Sequence, residues 1–142
     1  MKRKKVWRYY CEFCGKNSGS GGHMKNHEKH CTMNPDRECG MCRKIGEDQE
    51  PMANLLNILP DLDAVIQSDR DKFGIISELS EDGPRLIDKG IDRLRDATKG
   101  CPACMLAAIR QKELVGMHDW DFTAACKEFW SMVNEANDDG AN

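Results

Sequence analysis

Residues 11–42 of this 142-residue chain read CEFCGKNSGSGGHMKNHEKHCTMNPDRECGMC and contain five of its eight cysteines and three of its four histidines. Cys11 and Cys14 form a Cys-x2-Cys pair, twelve residues separate Cys14 from His27, and three separate His27 from Cys31. The first pair fits on one tight turn, and the last two residues lie one helical turn apart. We therefore predict that these four residues converge on a tetrahedral Zn²⁺.

The fourth ligand has two alternatives. His23 and His30 lie four and three residues from His27 and can reach the same face of a helix. We prefer Cys31 because thiolate binds Zn²⁺ tightly and the His-x3-Cys spacing is regular. The other interpretation is a set of reduced, metal-free thiols, which such diagnostic spacing disfavours.

The spacing resembles the C2H2 zinc-finger family, with Cys in place of the last His, over about residues 9–31. Tyr9 and Met24 stand where the family usually has an aromatic residue and a Leu, but Ser18 stands where it has its core Phe. The resemblance implies a short hairpin and then a helix from about residue 20 to residue 30. Because glycines weaken that helix by about 1 kcal/mol each, we expect Zn²⁺ to supply most of the folding free energy. The missing Phe indicates that something outside the finger packs against it.

Two further Cys-x2-Cys pairs lie far apart in the chain. Cys39 and Cys42 are separated by 58 residues from Cys101 and Cys104, and each pair has an obvious partner in the other. We predict that the four bind a second Zn²⁺, which ties the finger to the rest of the chain. The alternative is a thiol redox pair, because CysProAlaCys at a helix start resembles the thioredoxin and glutaredoxin motif. Its βαβ context is not predicted here.

Charge divides the chain at about residue 44. Residues 1–44 contain eleven Lys or Arg against four Asp or Glu, a formal charge of +7, whereas residues 45–142 contain ten against twenty, a charge of −10. This asymmetry indicates a polyanionic partner for the front, a basic partner for the back, or contact between the two. A solvated surface is the simpler interpretation for the acidic part.

The basic front also contains Trp7, Tyr9 and Tyr10, so charge for phosphates alternates with rings for stacking. We expect Tyr9 to fill the thin finger core and leave Trp7 open between packing and stacking. By the C2H2 resemblance, the base-reading positions fall at Ser20, Gly22, His23 and Asn26, of which Gly22 has no side chain to use. We expect backbone contacts to dominate. The predicted nucleic-acid-binding residues are Lys4, Lys5, Arg8, Ser20, His23, Lys25, Asn26 and Lys29.

Residues 45–142 are predicted to form an acidic α-helical domain with no strand. Apolar residues recur at helical spacing in several segments, and Pro102 favours a helix start after Cys101. The apolar positions are Leu55, Leu56 and Leu59; Leu62, Val65, Ile66 and Phe73; Leu86, Ile87, Ile91 and Leu94; and Phe122, Cys126, Phe129 and Val133. The last helix is expected to start near Asp119 or Asp121, and residues 137–142 to form a disordered tail.

The predicted fold is therefore mainly α: a basic zinc-finger module, residues 1–44, fused to a helical domain, residues 45–142. Without an 18-residue apolar run or a secretory signal, we expect no membrane partner and a reducing cytosolic setting. No catalytic constellation is evident, so we expect a non-enzymatic protein that binds DNA or RNA or acts as a regulator. The alternative is a protein-interaction adaptor or inhibitor that uses acidic helices, with zinc purely structural. The layout also resembles small zinc proteins of phage-type genomes, a resemblance that implies no activity.

Overall fold

The computed structural model describes residues 1–71 and 74–139, with side chains over residues 1–66 and 79–135. Short hairpins and helices alternate along the chain. In chain order the elements are β1 (Tyr9–Tyr10), β2 (Asn17–Ser18), α1 (Gly21–His30), α2 (Gly40–Lys44), α3 (Met52–Ile58), α4 (Leu62–Val65), β3 (Ile66–Asp71), β4 (Gly74–Leu79), α5 (Gly83–Ala97), α6 (Pro102–Gln111) and α7 (Phe122–Asp139). The predicted architecture, a hairpin and helix joined to a mainly helical part through cysteine clusters, is confirmed.

The first hairpin and helix form the expected finger arrangement over residues 9–31. β1 and β2 pair antiparallel, with Tyr9 opposite Ser18. α1 begins after Ser20, whose hydroxyl oxygen accepts a hydrogen bond from the His23 backbone N–H. This N-cap satisfies one donor at the start of a helix that opens with two glycines.

The finger has a very small core of its own. Its buried side chains are Cys11, Met24 and Cys31, each 3% exposed, and Met33 packs against them from beyond the finger. Met33 thus contributes the outside contact that the missing Phe led us to expect. So little apolar burial contributes only a few kcal/mol at about 1.5–3 kcal/mol per side chain.

The main core lies between α3, α5 and α6. Leu55, Ile87, Leu94, Met105 and Ile109 are each at most 1% exposed there. Their positions on three helices follow the predicted helical spacing, because each helix buries one apolar stripe. This same core also contains Cys39, Cys42, Cys101 and Cys104.

Two glycines adapt the helices to this packing. At Gly90 of α5 a Cβ would lie 3.1 Å from Cδ of Pro60, so a larger residue there would require Pro60 to move by a few tenths of an ångström. Gly100 has a φ of +80° and ends the turn between α5 and α6. Cys101 follows this turn directly.

The prediction of no strand after residue 45 is wrong. β3 and β4 pair antiparallel, with Ile66 opposite Leu79. The helix expected to continue through Ile66 ends at Val65, and Phe73 lies outside the described residues. Residues 67–72, QSDRDK, offer no apolar side chain at helical spacing, so a longer helix would have no face to bury, whereas a hairpin pairs the backbone groups directly.

α7 begins where the sequence predicted. The Asp121 carboxylate accepts hydrogen bonds from the backbone N–H groups of Thr123 and Ala124 and so caps the helix. The helix runs to Asp139, so residues 137–139 of the expected tail are helical, and residues 140–142 lie outside the described part. Among the helices over residues 1–71 and 74–139, none has the length and apolarity needed to span a bilayer.

Candidate metal centres

The finger cluster consists of Cys11, Cys14, His27 and Cys31, whose ligand atoms all lie within 4.8 Å of one another. Sγ of Cys14 is 3.3 Å from Nε2 of His27. The first two residues flank the turn after β1, and the last two lie at the C-terminal end of α1. A tetrahedral zinc site with Zn–S bonds of about 2.3 Å has edges of about 3.8 Å, so the spacing suits one ion.

The turn that holds the first pair is closed by backbone hydrogen bonds. The Gly15 N–H donates to the Cys11 carbonyl at 3.0 Å, and the Cys11 N–H donates to the Lys16 carbonyl at 2.8 Å. Gly15 has a φ of +76°, which a residue with a side chain rarely adopts. These backbone interactions hold the thiols of Cys11 and Cys14 on one side of a tight turn.

The two alternative histidines lie outside the finger cluster. Nδ1 of His30 is 2.9 Å from the Glu38 carbonyl oxygen, to which it donates a hydrogen bond. His23 is exposed on α1 and is not part of the cluster. The structure therefore groups Cys31, rather than either histidine, with the other three residues.

The four-cysteine cluster consists of Cys39, Cys42, Cys101 and Cys104. Sγ of Cys39 is 3.4 Å from Sγ of Cys101, and Sγ of Cys42 is 3.7 Å from Sγ of Cys104. These distances are far longer than a disulfide bond of about 2.05 Å and close to the edge of a zinc–thiolate tetrahedron. All four residues are at most 5% exposed.

Each pair in this cluster is set by the start of a helix. Cys39 caps α2, and its sulfur accepts a hydrogen bond from the Cys42 backbone N–H at 3.4 Å. Cys101 caps α6 and is followed by Pro102, with Cys104 one turn into the helix. The main core then holds α2 against α6, and this brings together pairs that are 62 residues apart.

The four thiols affect one another's ionisation, since the pKa of one is lowered and the pKa values of the other three are raised. Hydrogen bonds from Cys101 and Cys104 lower the pKa of Cys39 strongly. Burial and the neighbouring thiolates raise the pKa of Cys42 to about 12, and hydrogen bonds with Cys101 and Cys39 raise the pKa of Cys104 far above its ordinary range. The positive end of the α6 dipole would lower the pKa values of Cys101 and Cys104, but the pKa values of both are raised because the thiols are crowded together and buried. A divalent cation would allow all four thiolates to exist together.

Arg37 is a buried cation beside these thiols that the sequence did not reveal. It is 6% exposed, and Nη1 is 3.8 Å from Sγ of Cys104. None of the ion pairs formed by described residues involves Arg37, and its Nε has no hydrogen-bond partner among them. A buried guanidinium requires a compensating negative charge, and four thiolates around one Zn²⁺ would carry a net charge of −2.

Gln49 fixes the backbone that leads into the four-cysteine cluster. Its amide accepts a hydrogen bond from the Cys39 N–H at 2.6 Å and donates one to the Arg37 carbonyl at 2.7 Å. On α6, Gln111 donates to the carbonyl oxygens of Thr32 and Asn34. The segment between the finger and the second cysteine pair is thus bound to the helical part on both sides. Burial and long-range contacts of this kind leave no local signal in the sequence.

A cavity of about 300 Å³ borders the four-cysteine cluster at Cys42 and Cys104. The linker before α3 lines it with the acidic residues Glu47, Asp48 and Glu50.

The predicted nucleic-acid-binding residues lie on the arm and on the finger, whose helix α1 also carries His27 of the finger cluster. Lys4, Lys5 and Arg8 are exposed in the arm before β1. On α1, the predicted residues His23, Lys25, Asn26 and Lys29 are exposed. Ser20 differs, since its hydroxyl caps the helix, a role that competes with base contact. The described acidic helices leave these α1 side chains uncovered.

Comparison of the chain with protein-family models, with curated proteins and with solved structures gave no match. The hairpin, helix and Cys/His cluster are consistent with a zinc finger. The two four-residue clusters are geometrically compatible with two zinc ions.

Proposed function

We propose that this chain is a non-enzymatic protein in which two Zn²⁺ ions have structural roles and the basic finger binds the phosphate backbone of nucleic acid. Cys11, Cys14, His27 and Cys31 would hold the first ion. The four cysteines at positions 39, 42, 101 and 104 would hold the second. Closed, four-ligand sites of Cys and His are typical of structural zinc.

The proposal of two zinc sites is supported most directly by the buried charge around the second cluster. Four thiols lie 3.4–3.7 Å apart in cross-pair contacts beside the buried Arg37. A metal ion lets every thiol ionise, and the resulting negative cluster offsets the guanidinium. The thiol redox alternative leaves Cys39, Cys42 and Arg37 without a role.

Nucleic-acid binding is supported by unpaired positive charge on one region. The eight Lys and Arg of residues 1–29 are all exposed, and none of them takes part in an ion pair with the described part of the chain. Arg43, Arg95, Lys99 and Lys112 are each paired with a carboxylate. Exposed cations of the helical part such as Lys89 and Lys127 are also without an ion pair among the described residues, but they lie in a region with twice as many acidic as basic residues. Charge left unpaired in one region is available to phosphates.

The test is binding of a 20-nucleotide probe to the full chain across a salt series. Contact with three to five phosphates predicts a slope of log K against log salt of about −3 to −5. The double variant Lys25→Gln/Lys29→Gln should flatten the slope by about 2. The matched control, Lys89→Gln/Lys127→Gln, removes two exposed charges from the helical part and should leave the slope unchanged.

Two further comparisons separate backbone binding from base reading. Deleting residues 2–5 should also flatten the slope, whereas His23→Ala should change affinity little, because a single finger covers only about 3 bp. If no probe binds at low salt, the nucleic-acid proposal fails. The surface to test next for a basic protein partner is then residues 61–96, where Leu79 and Leu86 are exposed among acidic residues.

A further inference from the structure

Three aromatic rings on the N-terminal segment are exposed without a structural role. Trp7, Tyr10 and Phe13 are 83%, 61% and 39% exposed. The finger core consists of other side chains, Cys11, Met24 and Cys31 with Met33 against them. Exposed large rings grouped within seven residues are costly in water and indicate an interaction surface. We call these three residues the exposed rings.

The ring of Tyr9, which precedes Tyr10 in β1, contacts the rest of the finger. A Cβ placed on Gly21 would lie 3.3 Å from the Tyr9 ring, so this ring packs against the start of α1. Tyr9 is nevertheless 44% exposed and does not belong to the buried finger core that we expected it to fill. Because neighbouring residues of a strand point to opposite faces, Tyr10 points away from the contact with α1.

Basic residues lie close to the exposed rings in the sequence. Lys4, Lys5, Arg8 and Lys16 lie on the same segment and are all exposed, with Glu12 as the nearby acidic residue in the sequence. A positive charge of this density favours a polyanion over an apolar protein surface. The partner should therefore offer both phosphates and flat apolar faces.

We propose that the exposed rings make this region a site for single-stranded nucleic acid, with bases stacked on Trp7 and Tyr10 and the phosphates held by the neighbouring Lys and Arg. The proposal rests on the nucleic-acid function proposed above and names its substrate class. In a duplex the faces of the bases are stacked on each other, so rings on the protein surface gain nothing there. In a single strand each face is free, and stacking of one base on an aromatic side chain strengthens binding about 5- to 150-fold.

The experiment uses the full zinc-loaded chain and three 20-nucleotide probes at one salt concentration. The probes are oligodeoxythymidylate, a duplex, and an abasic single strand that keeps the phosphates but has no bases. The single strand with bases should bind at least about 25-fold more tightly than either of the others, from two stacked bases at about fivefold each. Trp7→Ala and Tyr10→Ala should each weaken its binding at least about fivefold and leave duplex and abasic binding unchanged.

The controls separate stacking from folding. Phe122→Ala removes a partly exposed ring from α7 and should affect none of the three probes. Zinc content should stay at two equivalents in Trp7→Ala, since an 83% exposed side chain contributes little to the fold. If the duplex or the abasic strand binds as tightly as oligodeoxythymidylate, or if the alanine variants bind it normally, the stacking proposal is overturned while backbone binding stands. If none of the probes binds at low salt, both proposals are overturned.

Discussion

The two cysteine clusters are built by opposite means. The finger cluster draws its residues from 21 consecutive positions, and it includes the exposed Cys14. The four-cysteine cluster joins pairs 62 residues apart, and every member is buried in the main core. A metal ion in the finger would therefore stabilise a module that has almost no apolar core. A metal ion in the four-cysteine cluster would lie inside the main core. The two sites should respond differently to metal loss, to mutation and to the charge around them.

Metal removal should give the largest effect. With a strong chelator, the amides of α1 should lose all protection from hydrogen exchange, because metal binding contributes about 10–16 kcal/mol in small fingers and only three side chains are buried there. The amides of α5 and α6 should keep part of their protection through the apolar core. Hydrogen exchange followed by mass spectrometry measures both regions in one sample. Equal loss in both would mean that finger and helices unfold as one unit.

Removing one ligand from each cluster should separate local from long-range roles. Cys11→Ser and Cys101→Ser should each lower the metal content from two equivalents to one. Cys101 is fully buried in the main core, so Cys101→Ser should also lower the Tm of the helical part by about 10 °C, from a loss of about 3 kcal/mol or more. Elemental analysis measures the metal content, and thermal unfolding measures the Tm. An equal fall of the Tm in Cys11→Ser would contradict the difference that we expect between the two clusters.

Charge around the clusters provides a subtler comparison. Arg37→Gln removes the buried cation beside Cys104 and should weaken metal binding at the four-cysteine cluster about 10- to 100-fold. The finger cluster should keep its affinity. The control is Arg43→Gln, because Arg43 is exposed and forms only a surface ion pair with Glu38. Competition with a chromophoric chelator measures both affinities, and an unchanged second site in Arg37→Gln would show that the thiolates need no such counter-charge.

The smallest effect should come from His30. Its hydrogen bond to the Glu38 carbonyl joins the end of α1 to the following segment, so His30→Ala should cost about 0.5–1.5 kcal/mol of stability and retain the finger metal. His27→Ala is the matched variant and should lose that metal. Zinc loss from His30→Ala with retention in Cys31→Ser would reverse the assignment of the fourth ligand.

The sequence predicted features that depend on neighbouring residues better than features that depend on distant ones. Spacing within one turn or one helix grouped the four finger residues, placed Ser20 at the start of α1 and put Cys101 before Pro102. The apolar stripe of α5 followed from its periodicity. The hairpin of β3 and β4 was missed, because residues 67–72 carry no apolar residue and residues 74–79 are too short a run to indicate either structure by pattern alone.

The domain boundary at residue 45 stays a prediction, but the contacts across it are informative. Gln49 and Gln111 bind the backbone on the finger side of that position. Cys39 and Cys42 belong to the same core as α3, α5 and α6. Any boundary drawn by composition therefore crosses a packed region, since the change in charge and the packing of side chains follow different rules.

The sequence by itself determined which residues could bind metal and which helices could form, since both depend on spacings of two to four residues that the backbone geometry of a turn or helix fixes. Only the tertiary structure decided that Cys39 and Cys42 meet Cys101 and Cys104, that Arg37 is buried against them, and that Trp7 and Tyr10 stay uncovered. These outcomes depend on how α3, α5 and α6 pack and on what that packing leaves at the surface. Burial and the meeting of distant residues arise from the fold as a whole, and no short stretch of chain encodes them.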